Sequence, residues 1–157
     1  MADSDLRITP SIVDRLVDYE PHESNESPKS VQQSINDLKL SVKRDVEWLL
    51  NTRIAHDQIP EGLEETKNSL AAYGLPDFVG MSTNDSEGRK LLMKNMEDTL
   101  RIFEPRLINL RVTIKEIDVV GRGVVFQIEA DLKMEPVPEP VVFDTVLMVG
   151  SGDFEII

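Results

Sequence analysis

Carboxylates are the most abundant reactive groups in this chain, with 29 Asp and Glu against 17 Lys and Arg, two His and no Cys. Hydrolysis of a glycosidic bond needs two carboxyl groups about 5 to 10 Å apart, one of them kept protonated by apolar surroundings. Glu104, between Phe103 and Pro105, is the residue whose neighbours suit the acid. Among so many acidic residues chance pairings are expected, so a surface or ion-paired carboxylate is the simpler reading of Glu104. Two isolated histidines, His22 and His56, and the absence of any thiolate leave little for a metal centre. Neither a metal nor a cofactor is expected. Trp48 stands beside Leu49 and Leu50 and reads as a packing residue, not a stacking platform. The chain contains no phosphate-binding loop, dinucleotide fingerprint, nucleophile elbow or HExxH. Catalysis has no motif behind it, and the chain is not expected to be an enzyme.

The net charge of −12 makes a phosphate-neutralising surface the wrong expectation, which excludes nucleic acid as the default partner. A chain of 157 residues with 40 % apolar content supports one domain with a real core. No apolar run approaches the ~20 residues of a bilayer crossing. The start, Met1-Ala2-Asp3-Ser4-Asp5, is acidic where a secretory signal is basic, and cysteine is absent, so a cytoplasmic location is expected.

The elements that position these residues follow from hydrophobic period. Pro10 to Val17 fits a short helical turn whose Ile12, Val13 and Leu16 dock on something else. Residues 19 to 30 carry two prolines and no aliphatic side chain, and read as a flexible acidic linker. Residues 1–30 are therefore an arm and linker, and 31–157 a single domain. Ser30 and Gln33 form a capping box, after which Val31, Ile35, Leu38, Val42, Val46 and Leu49 recur on one face, which predicts a helix over 31–51. Residues 54–62 form a loop, and Leu63 to Tyr73 a shorter helix closed by Gly74. Asn84 with Glu87 caps a further helix carrying Leu92, Met96, Leu100 and Phe103, which must stop before Pro105. Beyond Pro105 the period becomes two. Ile108, Leu110, Val112 and Ile114 predict one strand; Gly121-Arg122-Gly123 turns into a second carrying Val124, Phe126, Ile128, Ala130, Leu132 and Met134. After the proline-rich Glu135 to Pro140, Val141 to Val149 and Phe154 to Ile157 supply a third and fourth strand. Helices first and strands afterwards give an α+β fold, with helices packed on one face of an antiparallel meander.

Several stretches carry more than architecture. Leu49-Leu50-Asn51-Thr52-Arg53 closes the first long helix, with Arg53 suited to its last carbonyls. Tyr73-Gly74-Leu75-Pro76-Asp77-Phe78 joins turn chemistry to exposed aromatics, and Glu104-Pro105-Arg106 marks the switch from helix to strand. Together with Pro10-Ser11, Asp14-Arg15-Leu16, Arg44-Asp45, Ser69-Leu70 and the strand pattern that follows, and in this order, they resemble the type VI secretion baseplate subunit family TssE. That family belongs with phage-tail baseplate wedge proteins historically labelled lysozyme-like. Residues 19–30 and 54–62 carry nothing that matches.

The resemblance implies a structural part of a contractile injection machine at the cytoplasmic side of the inner membrane. Its expected neighbours are the wedge subunits TssF, TssG and TssK and the sheath proteins TssB/TssC, whose polymerisation it would help to start. It implies wedge contacts at Glu104, Pro105 and Arg106, and a sheet that serves as a template for sheath strands. The terminal strand, with Phe154 and Ile156, contains one charge and no proline, so its edge reads as unprotected. Arg106, read as a solvated corner, is expected to matter to assembly more than to folding. The alternatives are the equivalent wedge subunit of a contractile phage tail or tailocin, and, from another class, a peptidoglycan hydrolase.

Overall fold

The computed structural model describes residues 8, 10–17, 22, 29–54, 62–78, 85–118, 123–148 and 151–157. His56, Asn84, the turn residues Gly121 and Arg122 and most of the expected linker lie outside them.

Among the described residues four α-helices, α1 (Ile12–Leu16), α2 (Val31–Asn51), α3 (Glu64–Lys67) and α4 (Ser86–Phe103), precede four strands, β1 (Leu107–Asp118), β2 (Gly123–Leu132), β3 (Glu139–Met148) and β4 (Phe154–Ile156). The strands pair antiparallel in sequence order β1-β2-β3-β4. This is the expected α+β arrangement. Helix α4 lies against β1, α2 against β4, and the two helices meet each other.

Local chemistry explains most boundaries. The Ser30 hydroxyl accepts from the Gln33 N–H, and the Gln33 side chain accepts from the Ser30 N–H, so α2 begins where its orphan donors are satisfied. Its Leu38, Val42, Val46, Leu49 and Leu50 are buried, while Ile35 is partly buried and Val31, in the first turn, is exposed. Along α4, Leu92, Met96 and Leu100 are buried. Its cap is Asp85, whose carboxylate accepts from the Glu87 N–H. The helix expected over 63–73 is divided: α3 ends at Lys67, and the Ser69 hydroxyl caps a separate 3-10 turn, Leu70–Ala72. Ser69 bonds to local backbone instead of continuing the helix, the usual competition from serine.

All six expected inward residues of β2 and its extension, Val124 to Met134, are buried. On β1 the alternation fails at its start. Asn109 adopts φ 54°, and with Leu110 it stands opposite the single residue Ala130, a β-bulge. The extra residue reverses the facing, so Leu107 is buried and Ile108 is not. Strand β3 starts two residues earlier than expected, at Glu139, and takes in Pro140. Strand β4 pairs only with Thr145 to Leu147 of β3, so that flank of β3 has no ladder to interrupt at Pro140.

One core position is chemically unfinished. Thr145 is fully buried opposite Phe126 and Ile156, and its hydroxyl has no hydrogen-bond partner among the described residues. Thr145→Val removes an unsatisfied polar group at nearly constant shape and is expected to stabilise the fold by about 1 kcal/mol. Thermal melting checks this: Tm should rise by about 2–4 °C, and a fall would mean that the hydroxyl is satisfied in solution.

Candidate functional site

The corner between α4 and β1 gathers charge from three parts of the chain. Helix α4 stops at Phe103 because Pro105 cannot continue it, which leaves Glu104 as the cap residue and Arg106 just before β1. Glu104 is only 4 % exposed. Both of its oxygens are taken by Arg106, with Nε at 2.6 Å and Nη2 at 2.5 Å, the fork geometry that only arginine offers. The same guanidinium reaches Asp45 on α2 at 2.6 Å and the Ser41 hydroxyl at 3.2 Å. Asp45 is also held by Arg44, which pairs in addition with Asp14 on α1 at 2.9 Å. Ser41 donates to Asp14 at 2.5 Å, and Ser11 donates to the same carboxylate at 2.7 Å. A continuous network therefore runs Asp14, Arg44, Asp45, Arg106, Glu104, with Ser41 closing it between Asp14 and Arg106.

Burial by itself would lower the Arg106 pKa, but the bonds to Glu104 and Asp45 outweigh it and hold the group above its ordinary value. For Asp14 burial acts to raise the pKa, and the bonds from Ser41, Ser11 and Arg44 overcome it and bring the carboxyl down to about 2. A folded-state value below the ordinary 3.8 means that Asp14 contributes stability above about pH 4, and that this is lost as pH falls through about 2. The stability difference between the native chain and Asp14→Asn is therefore expected to be largest above pH 4 and to close near pH 2. Urea titrations at a series of pH values measure it; a constant difference would show that Asp14 acts through packing alone.

Asp14 also fixes an inverted helix. α1 is pinned to α2 by its charged residue, while Ile12 and Leu16 remain 74 % and 79 % exposed. The docking partner expected for these side chains is not the core of this chain. Beside them lies an open groove of about 410 Å³, lined by Ile12, Val13, Trp48, Tyr73, Phe103 and Pro105. Trp48 is 55 % exposed, with Arg44 over its ring at 5.1 Å, and so is not the core residue that its neighbours Leu49 and Leu50 imply. Tyr73 and Phe78 are partly buried, correcting the expectation of exposed aromatics: Tyr73 meets Phe103 edge-on at 5.3 Å, and Phe78 meets Phe154 at 5.7 Å.

The terminal strand differs from expectation as well. Bonds from the Met148 N–H to the Asp153 C=O and from the Ile157 N–H to the Asp144 C=O set the β3–β4 register. Phe154 and Ile156 fall at the alternate positions, so their N–H and C=O groups point away from β3. The edge is not wholly unprotected. Asn51, the last residue of α2, accepts from the Phe154 N–H and donates to the Phe154 C=O, each at 2.8 Å. Among the described residues, only the Ile156 pair is left without a partner. Arg53 secures the approach, donating to the Leu50 C=O at 2.9 Å and the Gly152 C=O at 2.6 Å, with Phe78 beneath it. Its expected role at the helix end is therefore seen, together with a second grip on the β4 turn. At the far edge of the sheet, Glu97 of α4 likewise accepts from the Val112 N–H of β1.

Of the five residues singled out in the sequence, Glu104, Pro105 and Arg106 stand together at the groove, and Phe154 and Ile156 stand on the guarded edge. Arg106 is not a solvated corner, because it is half-buried against a buried carboxylate. Glu104 is not positioned as an acid, since neither oxygen is free. Sequence reasoning missed the network roles of Ser41 and Asp45, and the role of Asn51 on β4. Arg44-Asp45 and Asn51 did lie within the stretches that carry the resemblance, but their partners are distant in sequence. His22 is exposed, and no group of three metal-binding side chains forms among the described residues.

These features define a small α+β protein whose site charges are engaged with one another and whose edges and groove face outward. The family model for baseplate wedge protein gp25 matches residues 36–137, more than half of the chain. The chain belongs to this family, which is also that of TssE, and is a structural baseplate component of the contractile-tail kind. No curated protein and no solved structure matches it. Among the described residues no helix is long and apolar enough to cross a membrane.

Proposed function

We propose that this chain is the wedge subunit of a type VI secretion baseplate, equivalent to TssE, which joins TssF, TssG and TssK and starts polymerisation of the TssB/TssC sheath. The ordered motifs of the sequence support the secretion assignment. The observation that carries the sheath step is the outward N–H and C=O of Ile156 at the end of the sheet, which an extended partner strand can extend by main-chain bonds. For the wedge contact, the ion network holds the corner rigid, so that exposed Pro105 and the apolar groove beside it present a fixed surface. Residues 31–157 act as one folding unit, and the arm of residues 1–30 contributes α1 to the groove. The chain works without catalysis, cofactor, nucleic acid or membrane insertion, at the cytoplasmic face of the inner membrane.

Affinity purification of the tagged chain from its host is expected to recover TssF, TssG and TssK. Recovery of phage tail proteins would assign it instead to a phage tail or tailocin, the second reading that the family equally supports. Ile156→Pro removes the outward N–H without touching the bonds to β3. It is expected to reduce fluorescent sheath formation in cells at least about tenfold, with baseplate recruitment unchanged. Normal sheath frequency with the variant in the baseplate would move the template to another strand.

A further inference from the structure

The edge of β4 offers two main-chain pairs, at Phe154 and Ile156, and treats them differently. The Ile156 pair has no partner among the described residues. The Phe154 pair is occupied by the Asn51 amide, which supplies a donor and an acceptor from one side chain and so imitates the backbone of a neighbouring strand. Asn51 itself is exposed, at the very end of α2, where an arriving segment reaches it. Its removal does not free β4, because Phe154 and Ile156 are buried, Phe78 and Phe126 pack on Phe154, and Arg53 holds Gly152.

We propose that Asn51 is a displaceable guard on the β4 edge, and that the strand which displaces it alternates apolar and basic residues. The inference rests on the reading of β4 as a site of strand addition. An incoming strand gains the Ile156 pair at once and must exchange the two Asn51 bonds for its own main-chain bonds to gain the Phe154 pair. The guard blocks half of the edge in the free protein, which suppresses unwanted edge-to-edge pairing, and yields only to a strand that can replace both bonds. The charge of the strand follows from Glu155, exposed between the two buried residues. Side chains beside Phe154 and Ile156 continue the apolar face, and the one beside Glu155 lies on the solvent face, where a Lys or Arg is favoured and an acidic residue repelled. A second copy of β4 would set Glu155 against Glu155 and is therefore a poor occupant.

The probe is a fluorescein-labelled eight-residue peptide of alternating Val and Lys, titrated into the full chain and followed by anisotropy. Asn51→Ala is expected to bind it about tenfold more tightly than the native chain, because two bonds no longer have to be broken. Asn51→Asp, which keeps an acceptor for the Phe154 N–H but loses the donor for its C=O, is expected to fall between them. A peptide N-methylated on alternate amides, or alternating Val and Glu, should bind at least tenfold more weakly. Equal binding by native chain and Asn51→Ala, with binding lost in Ile156→Pro, overturns the guard and leaves the strand edge standing. Binding that survives Ile156→Pro or N-methylation overturns strand addition itself, and no binding by any variant overturns both. Should Asn51→Ala fail to fold, Asn51→Asp carries the same comparison.

Discussion

Replacing Arg106 with alanine is expected to destabilise the fold by about 3 kcal/mol, the low end of the loss seen when one member of a buried ion pair is removed. Glu104 would lose both guanidinium bonds in a site that is 4 % exposed, with no donor of comparable strength to replace them. Asp45 and Ser41 would lose a partner as well. Thermal melting should show a Tm lower by about 6–12 °C for a chain of this size. Glu104→Gln in the same background is expected to recover part of the loss, since it replaces the unpaired buried carboxyl by a neutral group of the same shape. Arg106→Lys should fall short of the native chain, because an ammonium cannot hold both Glu104 oxygens in a fork and reach Asp45 together. A Tm within about 2 °C of native for Arg106→Ala would return the corner to the solvated class and leave Glu104-Pro105-Arg106 as a partner contact alone. If the expectation holds, weakened partner binding by Arg106→Ala does not by itself locate an interface, and binding must be scored on folded protein.

Gly74→Ala is expected to cost about 2–4 kcal/mol through a different cause. Gly74 has φ 111°, a conformation that disfavours any side chain, and an added Cβ would lie 2.4 Å from the Thr52 carbonyl oxygen. That oxygen cannot retreat freely, because it accepts the Leu75 N–H at 2.8 Å in the bridge that joins the end of α2 to the 73–78 segment. Gly62 provides the control. It also has positive φ, at 90°, but open space around its Cβ position, so Gly62→Ala retains the conformational cost without the collision. Chemical denaturation of the two variants should show Gly74→Ala losing at least twice as much stability. Equal losses would mean that the Thr52 contact relaxes and that backbone conformation alone matters.

Elements whose signal is carried by consecutive residues were legible before folding was considered. The 31–51 helix follows from its capping box and its recurring aliphatic face, and the inward residues of β2 from strict alternation. Both periods arise from backbone geometry within one segment, so no knowledge of neighbouring segments is needed. Pro105 likewise ends α4 by a local clash, and the order of helices before strands was sufficient for the α+β class. The same local logic failed at Asn109, where a single residue with φ 54° shifts the facing of β1 without changing its composition.

The site emerges from the folded chain alone, because its bonds join residues far apart in sequence. Arg106 meets Asp45 across 61 residues, Arg44 meets Asp14 across 30, and Asn51 meets Phe154 across 103. A charged or amide side chain has no period that records its partner; its role depends on which backbone or carboxylate the fold brings within about 3 Å. The same holds for exposure. Trp48 sits beside core leucines in the chain, yet successive helical residues point in different directions, and it stays 55 % exposed. Ile12 and Leu16 have the composition of a core, but Asp14 finds Arg44 and Ser41 and turns them outward.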